Sequence, residues 1–107
     1  TAQLTTALEQ WQKASLDITG RVMDDVDLVG ACSVNYLMLC GTVLGGWLMA
    51  KSALVASEKI NEDPGFYGAK IITAEFYAAH ILPRAGGYAT AATADSQLTM
   101  GLKEEQF

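Results

Sequence analysis

The chain has 107 residues, enough for one domain with its own core. Half of its residues are hydrophobic and only 18% are charged, which excludes a disordered linker and predicts apolar surface that meets another molecule. The net charge of -5 and the pI of about 4.6 exclude the basic surface that nucleic acid requires, so we expect no nucleic-acid partner.

The first predicted helix covers residues 3–22. A mainly apolar stripe recurs at alternating spacings of four and three residues, as one face of a helix requires: Leu4, Leu8, Trp11, Ser15, Ile18 and Val22. Polar side chains fill the other faces, and Glu9 and Lys13 form a favourable pair four residues apart. We therefore expect an amphipathic helix that buries a single face.

The second predicted helix covers residues 25–61 and follows an acidic break. We expect the carboxylates of Asp24, Asp25 and Asp27 to cap the free N–H groups at its start. No charged residue occurs in 28–50, and a helix that is apolar nearly all round is covered nearly all round. Two neighbours in a three-helix bundle leave one side open, so a further partner, a second copy or another domain, is expected to complete the bundle.

Two glycines in this helix, Gly41 and Gly45, have the four-residue spacing that lets another helix approach closely. The uncharged stretch 28–50 is also long enough to span a bilayer, which takes about 20 apolar residues. Polar residues and glycines dilute it, however, and basic residues do not flank it. We favour a buried helix of a soluble bundle, with a membrane-associated module as the alternative.

The third predicted helix covers residues 64–94. Asp63 is its expected N-cap, and Pro64 occupies the first helical position, where a missing N–H costs nothing. Pro83, followed by two glycines, should kink or break this helix. The predicted fold is an all-α bundle of three long antiparallel helices, up-down-up, in a single domain 1–107 with a tail at 95–107.

An aromatic group lies in this third segment, together with two cationic side chains: Phe66, Tyr67, Phe76, Tyr77, Lys70 and Arg84. Helical spacing places Phe66 and Lys70 on one face and Tyr67 on another. The group is either an interface or ligand wall, or core residues with charged side chains that extend to solvent. We favour the second interpretation.

The sequence carries little that indicates chemistry. Cys32 and Cys40 would lie about 12 Å apart along one helix, beyond disulfide reach, which fits a reduced, cytoplasmic protein. With a single histidine, His80, the chain has no spaced ligand set for a metal. We predict no catalytic, cofactor-binding or metal-binding residue.

The segment 63–84, DPGFYGAKIITAEFYAAHILPR, resembles the C-terminal domain appended to long bacterial acyl-CoA dehydrogenases. Such domains carry a Phe-Tyr, an Ala-Lys, a Thr-Ala, a second aromatic pair and a Leu-Pro in this order. The second segment is similar at Asn35-Tyr36-Leu37, Gly41 and Trp47, and the ending MGLKEEQF resembles the terminus of those enzymes. The resemblance covers nearly the whole chain.

This resemblance implies a carboxyl-terminal piece of a larger enzyme, and the absence of an initiator Met agrees with that expectation. The parent would be an FAD enzyme that oxidises acyl-CoA between its α and β carbons and is reoxidised by an electron-transfer flavoprotein. The chain itself would be a non-catalytic bundle, without FAD, that packs on upstream domains of the same chain or supports a homo-oligomer. Its candidate packing or interface residues are Tyr36, Gly41, Gly45, Trp47, Phe66, Tyr67, Lys70, Phe76, Tyr77 and Arg84.

Overall fold

A computed structural model describes residues 2–106, with the backbone alone at residues 99 and 100. The predicted all-α class is confirmed, since every regular element among these residues is helical. The elements in chain order are α1 (Ala2–Arg21), α2 (Leu28–Glu58), α3 (Pro64–Phe76), a π-helix (Tyr77–Ile81), α4 (Arg84–Ala92), α5 (Gln97–Met100) and a 3₁₀ turn (Glu104–Gln106).

The predicted third helix, 64–94, is not one helix. The segment forms α3, then a wide π turn closed by the Leu82 N–H donating to the Tyr77 carbonyl at 2.8 Å, then α4. Pro83 has no N–H to continue the ladder, and its ring clashes with the turn before it, so the interruption expected near Pro83 is present. The three-helix arrangement is therefore not reproduced as predicted, and the predicted tail contains α5.

Small side chains make up much of the core. Ala7 and Ala14 of α1 and Ala85 of α4 pack with larger residues, Leu39 and Val43 of α2, and all are buried. A second cluster joins the start of α2 to the end of α4. Because alanine keeps helix axes close, these contacts hold one face of α2 tightly against α1 and α4.

The helix starts differ from the prediction in one respect. The Asp63 carboxylate caps α3 as predicted, accepting the Phe66 N–H at 3.2 Å, with Pro64 at the first helical position. Asp27 precedes α2 but makes no side-chain cap hydrogen bond, so the predicted carboxylate cap is wrong there. Asp25 instead accepts the Ser96 hydroxyl at 2.6 Å, and Ser96 is almost fully buried. Asp25 therefore connects the turn before α2 to the segment between α4 and α5.

The molecule is long and thin, with extents of 64 × 29 × 16 Å. Its radius of gyration is 18.2 Å, whereas a compact domain of this length has about 13 Å. An elongated bundle exposes more of each helix than a compact one. One long face of α2 is consequently left open.

Candidate functional site

The outward face of α2 is apolar and exposed. Leu37 is 69% exposed and Val34 70%, and the side chains that follow them along the helix, Leu44 and Leu48, are about half exposed. No charge interrupts this face from Leu28 to Ala50. Contiguous apolar surface of this kind marks a contact site in a soluble protein. The expectation that neighbouring helices leave one side of α2 uncovered is confirmed.

By length and composition α2 could also cross a membrane. Its most apolar 18-residue window has a mean hydropathy of 1.6, and 28% of that window is buried inside the bundle. The core helix of a soluble protein passes the same test. The buried side packs on α1 and α4 through Leu39 and Val43, as a soluble bundle requires.

The two glycines predicted to admit a close helix have different roles. A side chain at Gly45 would meet the Tyr77 ring and hydroxyl, so this glycine makes room for a residue of the same chain. Its neighbour Gly46 makes room for Leu82 and Leu4 in the same way. Gly41 faces open space, with nothing within 4 Å of an added Cβ. Of these glycines, Gly41 alone lies on the outward face.

Tyr77, at the start of the π turn, belongs to the interior. Its hydroxyl donates to the Thr42 carbonyl at 2.7 Å, and burial raises the pKa of the phenol above its usual value of 10.0. The phenol therefore keeps its proton, and its hydrogen bond, at neutral pH. Tyr36 is also internal, with its hydroxyl 2.6 Å from the hydroxyl of Ser15 on α1. Both tyrosines fasten helices of the same chain together.

A groove of about 430 Å³ lies between α2 and α3 and has a cationic rim. The Lys70 ammonium lies 5.3 Å from the centre of the Phe66 ring, as their four-residue spacing predicts. The Lys51 ammonium lies 4.5 Å from the centre of the Trp47 ring, a pair that the same spacing in the sequence would have revealed. The groove is lined by Leu48, Lys51, Ser52, Val55, Ala56, Phe66, Tyr67 and Lys70.

The aromatic group does not form one wall. Phe66 and Tyr67 meet edge to face at 5.1 Å beside this groove. Phe76 is 57% exposed and lies against His80, with ring centres 4.7 Å apart. Arg84, at the start of α4, is exposed beyond the π turn. Phe66 and Phe76 both lie in α3 but about 15 Å apart along its axis, whereas Arg84 lies beyond the π turn.

A more enclosed cavity of about 310 Å³, which the sequence did not indicate, lies between α1, α2 and the α3–π segment. It is lined by Gln3, Leu4, Gly46, Met49, Ala50, Ala53, Ile71, Ala74, Glu75, Tyr77, Ala78 and Leu82. Over residues 2–106, no group of three or more His, Cys, Asp or Glu side chains could hold a metal ion. The geometry thus offers apolar contact surface rather than a set of reacting groups.

Comparison with known proteins identifies the family. Residues 1–103 match the family described as acetyl-CoA dehydrogenase C-terminal like. The broad-specificity linear acyl-CoA dehydrogenase FadE5 of Mycobacterium tuberculosis is 33% identical, over 77% of this chain and 15% of that protein. The chain thus spans about 15% of the length of the curated relative it matches, and these matches do not favour the membrane-associated alternative. Because the family match extends over nearly all of its length, the chain belongs to the acyl-CoA dehydrogenase C-terminal domain family.

Proposed function

We propose that this chain is a non-catalytic helical domain of an FAD-dependent acyl-CoA dehydrogenase, and that it acts by packing. The parent enzyme would oxidise an acyl-CoA between its α and β carbons in the cytoplasm and pass electrons to an electron-transfer flavoprotein. The exposed apolar face of α2 carries the proposal, because a family member with such a face has surface to bury. Its partner would be the upstream dehydrogenase domains or another copy.

The described residues do not form the common βαβ kind of FAD site. In one common kind of dinucleotide site, the pyrophosphate lies at the N-terminus of a helix that follows a strand and a glycine-rich turn. The regular elements of residues 2–106 are all helical, and neither Gly45-Gly46 nor Gly86-Gly87 forms such a turn, since both lie inside helices. The groove between α2 and α3 and the cavity beside α1 are lined mainly by apolar side chains. We therefore propose that FAD binds in the remainder of the parent enzyme.

Flavin binding tests the non-catalytic assignment. The purified 107-residue chain should be helical by circular dichroism. After incubation with FAD and dialysis against buffer without FAD, it should retain no flavin, and it should reduce no dye acceptor when given an acyl-CoA. Stoichiometric FAD, detected by its absorbance, would refute the assignment.

The packing role needs a variant within the parent enzyme. Leu37→Asp places a charge on the outward face of α2 and should lower the melting temperature or change the oligomeric state of the parent, while kcat per bound flavin is retained. Leu16→Asp is the matched control, because Leu16 on α1 is 67% exposed and Leu37 is 69% exposed. If both variants behave like the unmodified enzyme, the α2 face has no packing role.

A further inference from the structure

The outward face of α2 has the spacing of a coiled-coil seam. From Asp27 to Val55 one line of exposed positions follows steps of three and four residues: Asp27, Gly30, Val34, Leu37, Gly41, Leu44, Leu48, Lys51 and Val55. A strict three-four repeat keeps one line of side chains facing a partner helix over many turns. The side chains that α2 packs inside the bundle, such as Leu39 and Val43, lie on the opposite side. The seam is therefore exposed along its length, and at its carboxyl end Leu48, Lys51 and Val55 also line the groove beside α3.

We propose that this seam pairs, antiparallel, with the same seam of a second copy of the chain. In an antiparallel coiled coil, each a position of the seven-residue repeat on one helix faces a d position on the other helix. One register places Leu37 opposite Gly41, Leu48 opposite Gly30, Val34 opposite Leu44 and Asp27 opposite Lys51. Both glycines meet a leucine, and the acid at one end meets the base at the other. Two-fold symmetry makes every layer occur twice, over about 36 Å of helix.

Neighbouring registers lose this complementarity. A shift of one heptad in one direction sets Val34 against Lys51, and a shift in the other direction sets Gly30 against Gly41, which leaves a gap between the helices. A parallel pair sets Asp27 against Asp27 and Lys51 against Lys51, so that like charges repel at both ends. The sequence of the seam thus favours one orientation and one register of a self-association.

The second copy is the occupant that the charges favour. Asp27 and Lys51 are both exposed and lie at opposite ends of an uncharged stretch, where an antiparallel copy supplies the opposite charge to each. This inference deepens the proposed function and rests on it, since it assigns the packing face of α2 to oligomerisation. The proposed pairing does not depend on where FAD binds. A negative result in the cross-linking experiment would therefore leave the non-catalytic assignment untouched, and FAD binding by the chain would leave the pairing untouched.

Cys40 gives a direct readout of the register. It is half-buried, lies one residue before Gly41 and flanks the seam, whereas Cys32 is buried in the core. The two-fold axis of the proposed pair crosses the seam between Leu37 and Gly41, so that the Cys40 side chains of the two copies are neighbours. A short bismaleimide added to the purified protein at its natural length should link Cys40 to Cys40. Mass spectrometry of the linked peptides identifies both ends, and Cys40→Ser should abolish the product.

Charge exchange tests the orientation. Asp27→Lys alone and Lys51→Asp alone should each weaken association about tenfold by analytical ultracentrifugation, because two end pairs are lost and replaced by repulsion. The double variant D27K/K51D should restore association and the Cys40 link. Circular dichroism confirms that each variant is folded.

Other outcomes overturn the proposal. If Cys40 is protected from maleimide yet links to no second Cys40, another part of the same chain covers the seam. Linkage with no rescue by the double variant rules out the antiparallel register. Flotation of the protein with phosphatidylcholine vesicles, lost in Leu37→Asp but kept in Leu16→Asp, would assign the face to a lipid surface instead.

Discussion

Replacing Gly45 by alanine tests how closely the π segment packs on α2. An added Cβ would overlap the Tyr77 hydroxyl and lie 3.0 Å from Cζ of the same ring, so the ring must move. Displacement would break the 2.7 Å hydrogen bond from Tyr77 to the Thr42 carbonyl. Overpacking costs about 1–3 kcal/mol and the lost hydrogen bond about 1 kcal/mol. Alanine regains about 1 kcal/mol of helix propensity, which leaves a net loss of about 1–3 kcal/mol.

Urea denaturation followed by circular dichroism at 222 nm measures this loss, with the slope m held equal between variants. Gly68→Ala is the control, because an alanine side chain there has nothing within 4 Å and should stabilise α3 or leave it unchanged. Combining Gly45→Ala with Tyr77→Phe should cost less than the sum of the two single changes, because the overlapping hydroxyl is gone. A Gly45→Ala variant as stable as Gly68→Ala would refute the close approach.

Three further changes test other contacts. Ser96→Ala should lower the free energy of unfolding by about 1 kcal/mol, because Asp25 loses a donor; an unchanged urea midpoint would show that this bond contributes nothing. Asp63→Ala should lower the free energy of unfolding by about 1 kcal/mol, because α3 loses its N-cap, whereas Asp63→Asn should keep most of the stability that the cap provides. Equal losses of stability in the two variants would contradict capping. Burial raises the pKa of Tyr77 in the folded protein. The stability that the protonated phenol contributes is therefore fully present below the unfolded-state pKa of 10.0 and is lost as the pH rises through the higher folded-state pKa. Stability should therefore fall more steeply above pH 10 in the unmodified protein than in Tyr77→Phe, and parallel curves would contradict the burial argument.

Local patterns predicted the helical class and much of the site. The cap at Asp63 and the contact of Lys70 with Phe66 depend on residues within a few positions of each other. The stripe predicted for α1 was less accurate, because the buried residues of that helix are Ala7 and Ala14 and Leu8 of the stripe is exposed. The lack of charge in 28–50 predicted an uncovered side of α2, because no arrangement of two neighbours encloses a helix.

Contacts between distant residues could not be predicted in this way. Asp25 reads as a helix cap from its neighbours, yet its partner Ser96 lies 71 positions further along the chain. At the start of the π turn, the Tyr77 hydroxyl donates to the carbonyl of Thr42, which lies 35 positions earlier, and only the folded bundle brings the two residues together. For the same reason, no spacing rule distinguished Gly45, which faces Tyr77, from Gly41, which faces outward.

The π turn also sets the rotational phase of everything after it. A π turn holds about one residue more than an α turn, which rotates the following helix by about 100°. Leu82 and Ala85 reach the core beside α1 and α2 in that phase. A single-residue deletion within 77–81 would let the π turn close to an α turn and keep α4 in phase, whereas a single-residue insertion there would turn the buried face of α4 toward solvent. Related domains should therefore tolerate the loss of one residue here better than the gain of one, since only the gain changes which side of α4 faces the core.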